Sequence, residues 1–371
     1  MKRLIPGTIV LVIALVAGAC KEQITIYRIG ALLPTTGEAE GYGQQVKHGL
    51  TLAMDEINAA GGIQGKKIDI FFDDEESNEQ KAVQKATSMI SNSRVPLIIG
   101  GVTSNVALAL IPVCQQKQVV LLSPSASSPK LSGISEYFFR NYPSDTAEGR
   151  VMADYAVRKM GIKKIAILYL DKEYGQGLTS VFKQEFTSLG GVVSYEQGYR
   201  EGATDFAAYV KEMKFAAPDA VYLPGYYTEV AWILRELKKQ EVTSEVISSG
   251  GMGSPRILEM AAEEAEGVVF PQAPYDTNST NPVVQKFTSN YKSKFYTEPD
   301  VYAAYAYDAL KMVAAAIEKC GEKYPQDLRA RLADLAGFHG VTGDVTFGPK
   351  GDVDITPHIL QVTGGQFVPA P

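Results

Sequence analysis

The sequence predicts an α/β protein in which parallel sheets are covered by helices on both faces. Short apolar runs alternate with helical patterns along nearly all of the chain, an order typical of strands linked by crossover helices. The chain has 371 residues, which at roughly 100–200 residues per domain favours two lobes. Two stretches, "LIIGGVTSNVALALIPVCQQKQVVLLSPS" and "AVYLPGYYTEVAWILRELKKQEVTSEVISSGG", share one order of strand, glycine, hydroxyl-bearing turn, helix and strand. Two similar doubly wound lobes would produce such a repeat.

The first series of elements contains four apolar strands and the helices between them. In chain order we predict strand "ITIYRIGALLP", helix "GYGQQVKHGLTLAMDEINAAGG", strand "KKIDIFFDDEE", helix "EQKAVQKATSMISNS", strand "VPLIIGG", helix "SNVALALIPVCQQKQ" and strand "VVLLS". Glycines close the first of these helices, as expected at a helix C-terminus.

A second series follows the short strand "EYFFRNYP". In chain order it contains "TAEGRVMADYAVRKMG" (helix), "KKIAILYLD" (strand), "GQGLTSVFKQEFTSLGG" (helix), "VVSYEQGY" (strand), "DFAAYVKEMKF" (helix), "DAVYLPG" (strand), "TEVAWILRELKKQ" (helix) and "EVISSGG" (strand). Three helical segments, a hairpin-like "VTGDVTFGPKGD" and the strand "HILQVTGG" complete the chain. Breaks near Pro143, Pro271–Pro274 and Pro357 are natural crossings between the two lobes.

The composition and motifs argue against nucleic-acid binding and against catalysis. The net charge is −6, and no basic block is interleaved with aromatic residues. Gly175-x-Gly177 precedes a helix, but Ser180 stands where a dinucleotide fingerprint needs its third glycine. There is no G-x-S-x-G elbow, and the three histidines are scattered. We therefore expect no enzyme activity, no cofactor and no metal site.

The first twenty residues, "MKRLIPGTIVLVIALVAGAC", predict an export signal. Basic residues precede an apolar stretch that ends in small residues. A membrane span needs ~20 apolar residues. This stretch is shorter and is interrupted by Pro6 and Gly7, so we do not expect it to remain as a membrane span. Ala17-Gly18-Ala19 fits ordinary cleavage, whereas "AGAC" resembles a lipobox whose cysteine, Cys20, is acylated. We favour the lipoprotein, which would place the protein in the periplasm or on the outer face of the membrane, anchored by lipid.

The two remaining cysteines, Cys114 and Cys320, each lie in or at the end of a predicted helix. They are far apart in sequence with no disulfide framework around them, so two separate buried thiols are expected.

Hydroxyl groups follow the buried strands at the ends where a doubly wound sheet binds ligands. "VVLLSPSASSP" carries four serines after a buried strand, and Thr103 and Ser104 begin a helix. Helix N–H groups together with hydroxyls can hold a carboxylate without a formal positive charge. Tyrosines in strand-end turns would supply walls with an apolar body and a polar tip. These features predict a seat for a small carboxylate.

Several of these stretches together resemble one family. They are "IGALLPTTGEAEGYGQQVKHGLTLAMDEINAAGGIQGKKI", "PLIIGGVTSNVALALIP", "LLSPSASSPKLS", "YFFRNYPSD", "LYLDKEYGQGL", "YLPGYYTEVAWILRELK", "AEGVVF" and "VTFGPKGD". In content and order the chain from about Ile24 to its end resembles the type I periplasmic solute-binding proteins of branched-chain amino acid ABC transporters. The resemblance implies two doubly wound lobes, joined by three hinge crossings, that close over a ligand for delivery to permease subunits in the membrane.

The resemblance also implies lobe boundaries and a set of ligand-binding residues. Lobe 1 would comprise residues 21–143 and 274–357, and lobe 2 residues 144–273 and 358–371. In the family, strand-end hydroxyls hold the ligand carboxylate and aromatic residues close over the ligand. The corresponding residues here are Tyr42, Ser104, Ser125, Ala126, Ser127, Tyr174 and Tyr226.

One position departs from the family pattern. Amino-acid binders of this group often carry an acid in a strand-end loop of the second lobe, where it pairs with the ligand ammonium, and Gly250 takes that place here. Because a buried ammonium without a carboxylate costs several kcal/mol, either Glu229 or Asp145 replaces the acid or the ligand has no ammonium. A binder of aromatic or other organic acids and a ligand-binding module of a signalling system are the alternatives to an amino-acid binder.

Overall fold

The computed structural model describes residues 26–371, so the predicted export signal and Cys20 lie outside the described residues. The first of its two large sheets has five parallel strands in the order β2-β1-β3-β4-β5. These strands are β1 (Ile26–Leu33), β2 (Lys67–Asp74), β3 (Leu97–Gly100), β4 (Val120–Ser123) and β5 (Phe138–Arg140).

The second sheet repeats this order and then extends it. Its strands and a separate hairpin are β6 (Lys164–Leu170), β7 (Val192–Tyr199), β8 (Ala220–Leu223), β9 (Glu245–Ser248), β10 (Val269–Gln272), the hairpin β11 (Phe338–Gly340) with β12 (Gly343–Val345), and β13 (His358–Thr363) with β14 (Gln366–Pro369). The sheet runs β14-β13-β10-β9-β8-β6-β7. Read from the other edge, β7-β6-β8-β9-β10 has the same order as the first sheet, which accounts for the repeat in the sequence.

One edge of the second sheet is antiparallel, which the sequence analysis did not predict. Strand β13 pairs antiparallel with β10, and β14 pairs antiparallel with β13. The turn between the last two strands consists of Gly364 and Gly365, both at positive φ, and such a short turn joins only antiparallel neighbours. The predicted parallel α/β class is confirmed for both sheets, and the antiparallel strands β13 and β14 extend one edge of the second sheet.

Helices cover both faces of the two sheets. They are α1 (Glu40–Ala59), α2 (Glu79–Asn92), α3 (Ser104–Lys117), α4 (Asp145–Arg158), α5 (Glu173–Ser188), α6 (Ala207–Phe215), α7 (Tyr227–Lys239), α8 (Arg256–Met260), α9 (Pro282–Phe295), α10 (Val301–Cys320) and α11 (Leu328–Ala333). Helix α1 packs against α9 and α10, and α4 packs against α5 and β10. We therefore call the first sheet with α1–α3 and α9–α11 the first lobe, and the second sheet with α4–α8 the second lobe.

Sequence signals explain where these elements lie. Strands β3, β4 and β8 are buried along their whole length, as expected for apolar strands covered on both faces. Side chains of Asn78, Ser144, Asn281 and Asp300 accept hydrogen bonds from first-turn N–H groups and so fix the starts of α2, α4, α9 and α10. The five-residue helix α8 has no such side-chain cap and was not predicted.

The strand order creates one switch point in each lobe. The chain leaves β1 for β2 on one side and later places β3 on the other, and β6, β7 and β8 do the same. Helices that follow the strands on either side of a switch point diverge and leave a crevice at the carboxyl ends of those strands. The starts of α1 and α3, and of α5 and α7, therefore border the two crevices.

Cys114, in α3, and Cys320, at the end of α10, are buried free thiols, as predicted. Within residues 26–371, no helix combines the length and the apolar character that a membrane span requires.

Candidate functional site

The two crevices meet in one cavity between the lobes. It is lined by Tyr42, Val102, Thr103, Ser104, Ser125, Ala126, Ser127, Tyr142, Glu148, Tyr174, Tyr226, Gly250, Gly251 and Tyr302. All eight positions singled out from the sequence are among them. The space open to the centre of a water molecule is about 30 Å³, room for two or three waters at roughly 10–15 Å³ each. A ligand the size of an amino acid therefore requires the lobes to open before it enters.

Three serines form the first-lobe side of the cavity. The Ser104 hydroxyl oxygen accepts the backbone N–H groups of Ser127 and Ser128, at 3.3 and 3.1 Å. With its lone pairs used, its own hydrogen remains available to a ligand oxygen. The Ser125 hydroxyl instead donates to the Val102 carbonyl at 2.7 Å, so its hydrogen is already engaged. Ser104 is consequently the better placed of these two donors.

The start of helix α3 supplies positive potential beside these serines. Thr103 is its N-cap residue and makes no side-chain capping bond, and the first turn contains no acid. The N–H groups of the first turn have no intrahelical partners, and the helix dipole favours an anion there. Thr103 and Ser104 both line the cavity, so an anionic group that reaches the serines also meets this helix end.

A fully buried arginine fixes the loop that carries the serines. The Arg140 guanidinium donates to the carbonyls of Ala126 and Ser128, at 3.4 and 2.9 Å, and to the Ser132 hydroxyl at 2.7 Å. Its Nε is paired with the Asp352 carboxylate at 2.7 Å. Sequence reasoning missed Arg140, although a lone arginine in the apolar strand "EYFFRNYP" was a signal that it has a buried partner.

Five tyrosines form the aromatic walls, two of which the sequence did not predict. The rings of Tyr174 and Tyr226 are stacked with centroids 5.3 Å apart, and Tyr42 meets Tyr302 edge-on at 4.7 Å. The unpredicted Tyr142 lies parallel to Tyr302. Burial raises the pKa of all five hydroxyls, so they act as neutral donors and acceptors.

The loop that contains Gly250 and Gly251, which we call the glycine loop, belongs to the second lobe and is held by three of these tyrosines. Tyr42, from the first lobe, donates to the Gly251 carbonyl and accepts the N–H of Tyr227 at 3.2 Å. Tyr302 donates to the Gly250 carbonyl at 3.1 Å, and the Gly251 N–H donates to Tyr174 at 2.9 Å. First-lobe hydroxyls that bond second-lobe backbone show that the lobes are closed.

The acid inside the cavity is Glu148, which the sequence analysis did not name. Its Oε1 accepts the Gly250 N–H at 2.8 Å, and burial, followed by the nearby Asp145 charge, raises its pKa. Asp145 is buried one turn earlier in α4, where burial raises its pKa to about 7 although the Ser127 side chain and the Arg140 charge favour its ionised form. Glu229 is buried too, but it does not line the cavity and accepts the N–H of Gly202 at 2.9 Å. Asp145 and Glu148 are three residues apart and lie on one face of a helix. This spacing was the sequence signal that could have identified Glu148.

Ion pairs outside the cavity also join the lobes. Lys172 of the second lobe lies 2.9 Å from Glu79 of the first lobe and 3.2 Å from Glu201. On the first-lobe side, Ser128 and Lys130 contact Glu173 of the second lobe at 3.0 and 2.8 Å. These charged contacts form part of the closed interface.

A buried acid near this interface gives a prediction on pH and stability. Burial raises the pKa of Glu75 to about 8, and its Oε1 has no hydrogen-bond partner within the described chain. The folded protein therefore holds this proton more tightly than the unfolded chain, so stability falls as pH rises from about 4.5 towards 8. We expect Glu75→Gln to raise the free energy of unfolding by about 2–3 kcal/mol at pH 7 and to leave it nearly unchanged at pH 4.5.

Urea unfolding of both proteins at the two pH values measures this difference. The control is Glu76→Gln, whose exposed carboxylate pairs with Lys81 and which is expected to change stability by less than about 0.5 kcal/mol. Equal stability of wild type and Glu75→Gln at pH 7 would contradict the prediction.

Comparisons with known proteins agree with this architecture. The family model described as periplasmic binding protein matches residues 26–365. The Leu/Ile/Val-binding protein homolog 2 of Brucella abortus (strain 2308) is 26% identical over 333 residues, which is 90% of this chain and 89% of that protein.

Two solved structures are similar over nearly the whole chain. The leucine binding protein LivK of Thermotoga maritima MSB8 is 28% identical with a TM-score of 0.88, covering 93% of this chain and 97% of that one. The branched-chain amino acid transporter substrate binding protein LivJ of Streptococcus pneumoniae, in complex with isoleucine, is 28% identical with a TM-score of 0.87, covering 92% and 97%. By the matched family model, the two-lobed fold and the cavity between the lobes, the chain belongs to the periplasmic binding protein family.

Proposed function

We propose that this protein is the extracytoplasmic substrate-binding component of an ABC transporter and captures a branched-chain or related amino acid. The observation that carries the proposal is the cavity itself, where serine donors of one lobe face tyrosines and a glycine loop of the other. The names of the similar proteins, which concern leucine, isoleucine and valine, support the same ligand class. We expect solute binding and no turnover.

In this proposal the first lobe binds the ligand first. The ligand carboxylate occupies the seat formed by Ser104, Ser125 and Ser127 at the start of α3, and Ala126 lines the space between them. Closure then brings Tyr174 and Tyr226 over the ligand and excludes water. Hydrogen bonds in a site shielded from water are stronger than at an open surface, so closure and tight binding are linked.

The hinge consists of the three crossings between lobes. We propose lobe 1 as residues 21–143 and 274–357 and lobe 2 as residues 144–273 and 358–371, so that crossings fall near Pro143, Ala273 and Pro357. Closure would bring surfaces of both lobes into one face for the permease subunits. Acylation of Cys20 would tether the protein to the membrane that holds those subunits.

A second candidate function is capture of a carboxylate that lacks an ammonium, such as an aromatic acid. Gly250 favours it, since the second-lobe loop offers no acidic side chain at that position. The tyrosine walls would accommodate an aromatic ring as well as an aliphatic side chain. A signalling role would use the same cavity with a different membrane partner.

Calorimetry separates these ligands. The protein is unfolded, dialysed and refolded to remove co-purified ligand, and is then titrated with leucine, valine, alanine, phenylalanine, 4-aminobutyrate and benzoate. We expect saturable heat with at least one of the four α-amino acids and none with benzoate. Heat with benzoate and with no amino acid would overturn the amino-acid proposal in favour of the aromatic acid.

A further inference from the structure

The second-lobe side of the cavity contains a carboxylate at the place where the glycine loop lacks one. A Cβ atom built on Gly250 would lie 2.8 Å from Glu148 Oε2, closer than real Cβ contacts allow. The Glu148 side chain therefore occupies the room that a side chain at position 250 would need. The glycine at 250 and the acid at 148 are two parts of one arrangement, 102 residues apart in sequence.

The Glu148 carboxylate lies beside a second acid in a cavity that no basic side chain among the described residues lines. Asp145, buried beside Glu148, adds a second acid, and the neighbouring Tyr142, Tyr174 and Tyr222 contribute uncharged hydroxyls. The buried Arg140 is bound to Asp352 and to the serine loop, and its charge acts on Asp145 and not on Glu148. A positively charged ligand group would offset the unfavourable burial of these acids.

The acid also lies close to the carboxylate seat. The Asp145 N–H donates to the Ser127 carbonyl at 2.8 Å, which joins the serine loop to the start of α4. Glu148 follows one turn later on the same face of that helix. A ligand that reaches both groups therefore carries its anion and its cation close together, as an α-amino acid does.

We propose that Glu148 is the ligand's cation-binding residue, pairing with the ammonium of an α-amino acid in place of an acid at position 250. This inference rests on the proposed function and narrows it. It disfavours aromatic carboxylates, which have no ammonium, and 4-aminobutyrate, whose charges are separated by three methylene groups. In this arrangement the hydrogen bond from the Gly250 N–H to Glu148 holds the carboxylate in position.

The first test compares amino acids with their α-hydroxy acids on the wild-type protein. Leucine, valine and alanine are titrated beside 2-hydroxyisocaproate, 2-hydroxyisovalerate and lactate, in which a hydroxyl replaces the ammonium. In the pair that binds best, we expect the amino acid to bind at least about 100-fold more tightly than its hydroxy acid, because the hydroxy acid leaves the buried carboxylate without a charged partner. Equal affinities within a pair would overturn the assignment without any variant.

The second test replaces the acid by its neutral isostere. Glu148→Gln keeps an amide oxygen for the Gly250 N–H but removes the charge, so we expect a loss of about 100-fold for the amino acid and little change for the hydroxy acid. The matched control is Glu229→Gln, a buried acid outside the cavity, expected to stay within about 3-fold of wild type. A Glu148→Gln protein that keeps the wild-type ratio of amino acid to hydroxy acid would refute the proposal.

A double variant that moves the carboxylate from position 148 to position 250 distinguishes loss of the charge from damage to the fold. The double variant Glu148→Ala, Gly250→Glu moves the carboxylate to the glycine loop and removes the nearest atom that a Cβ at 250 would meet, which leaves the Pro271 carbonyl oxygen at 3.2 Å as its closest contact. We expect it to recover at least tenfold of the affinity that Glu148→Ala loses, and failure to recover any would count against the arrangement. Wild-type protein that binds no amino acid at all would instead refute the proposed function.

Discussion

Arg140→Met is expected to lower the free energy of unfolding by about 3–5 kcal/mol, the cost of breaking a buried ion pair by removing one partner. The guanidinium is fully buried and donates to two carbonyls and one hydroxyl of the serine loop as well as to Asp352. Methionine fills much of the volume but donates nothing. Buried carbonyls are then left without donors, and each costs about 1–3 kcal/mol.

Urea unfolding monitored by circular dichroism measures this loss, with Arg158→Met as control. The Arg158 side chain is 64% exposed and pairs with Asp154 on the surface of the same helix, so its removal is expected to cost less than about 1 kcal/mol. Because Arg140 holds the loop that carries Ser125 and Ser127, ligand affinity should fall together with stability. A loss for Arg140→Met no larger than that for Arg158→Met would show that the buried arginine is not what holds the loop.

Ser104→Ala is expected to weaken ligand binding by about 10–100-fold, whereas Ser125→Ala should weaken it by less than about 5-fold. The Ser104 hydrogen is available to the carboxylate, since its oxygen accepts from the backbone of Ser127 and Ser128. A hydrogen bond to a charged group contributes about 1.5–3 kcal/mol, which corresponds to this range. The Ser125 hydroxyl already donates to Val102 and would have to give up that bond to reach the ligand.

Calorimetry with the amino acid that wild type binds best, run on the two single variants, compares these serines directly. Ser104→Ala also leaves two buried N–H groups without an acceptor, so thermal unfolding is measured in parallel to separate stability from affinity. A larger effect of Ser125→Ala than of Ser104→Ala would mean that the serine loop binds its ligand differently from the way we propose.

Much of the fold followed from local patterns. Apolar runs alternating with helical periodicity predicted β1–β9 and the helices α1–α7 between them, because a strand covered on both faces, such as β3, β4 or β8, is apolar along its whole length. The repeat of strand and helix order predicted two similar lobes. The antiparallel edge of β13 and β14 was not predicted, because strand direction at an edge depends on which neighbour the chain meets and not on its own composition.

The candidate site was predictable to the extent that its residues follow strand ends. Ser104, Ser125 and Ser127 lie within four residues of the ends of the buried strands β3 and β4, so the α/β order alone places them at one edge of the sheet. Tyr142 also follows a buried strand, β5, so its position was an available signal that the sequence analysis did not use. Tyr302 lies in the first turn of α10 and reaches the cavity only through tertiary packing, and no short-range signal distinguishes it from the other tyrosines of the chain.

The sequence by itself determined the α/β class, the two-lobed organisation and the row of hydroxyls at the strand ends, because each depends on residues close together in the chain. Only the tertiary structure decided which acid faces the ligand cavity. Glu148 meets the Gly250 N–H across 102 residues, and Arg140 meets Asp352 across 212. Such contacts depend on how the chain crosses between lobes, and no local pattern of residue types encodes them.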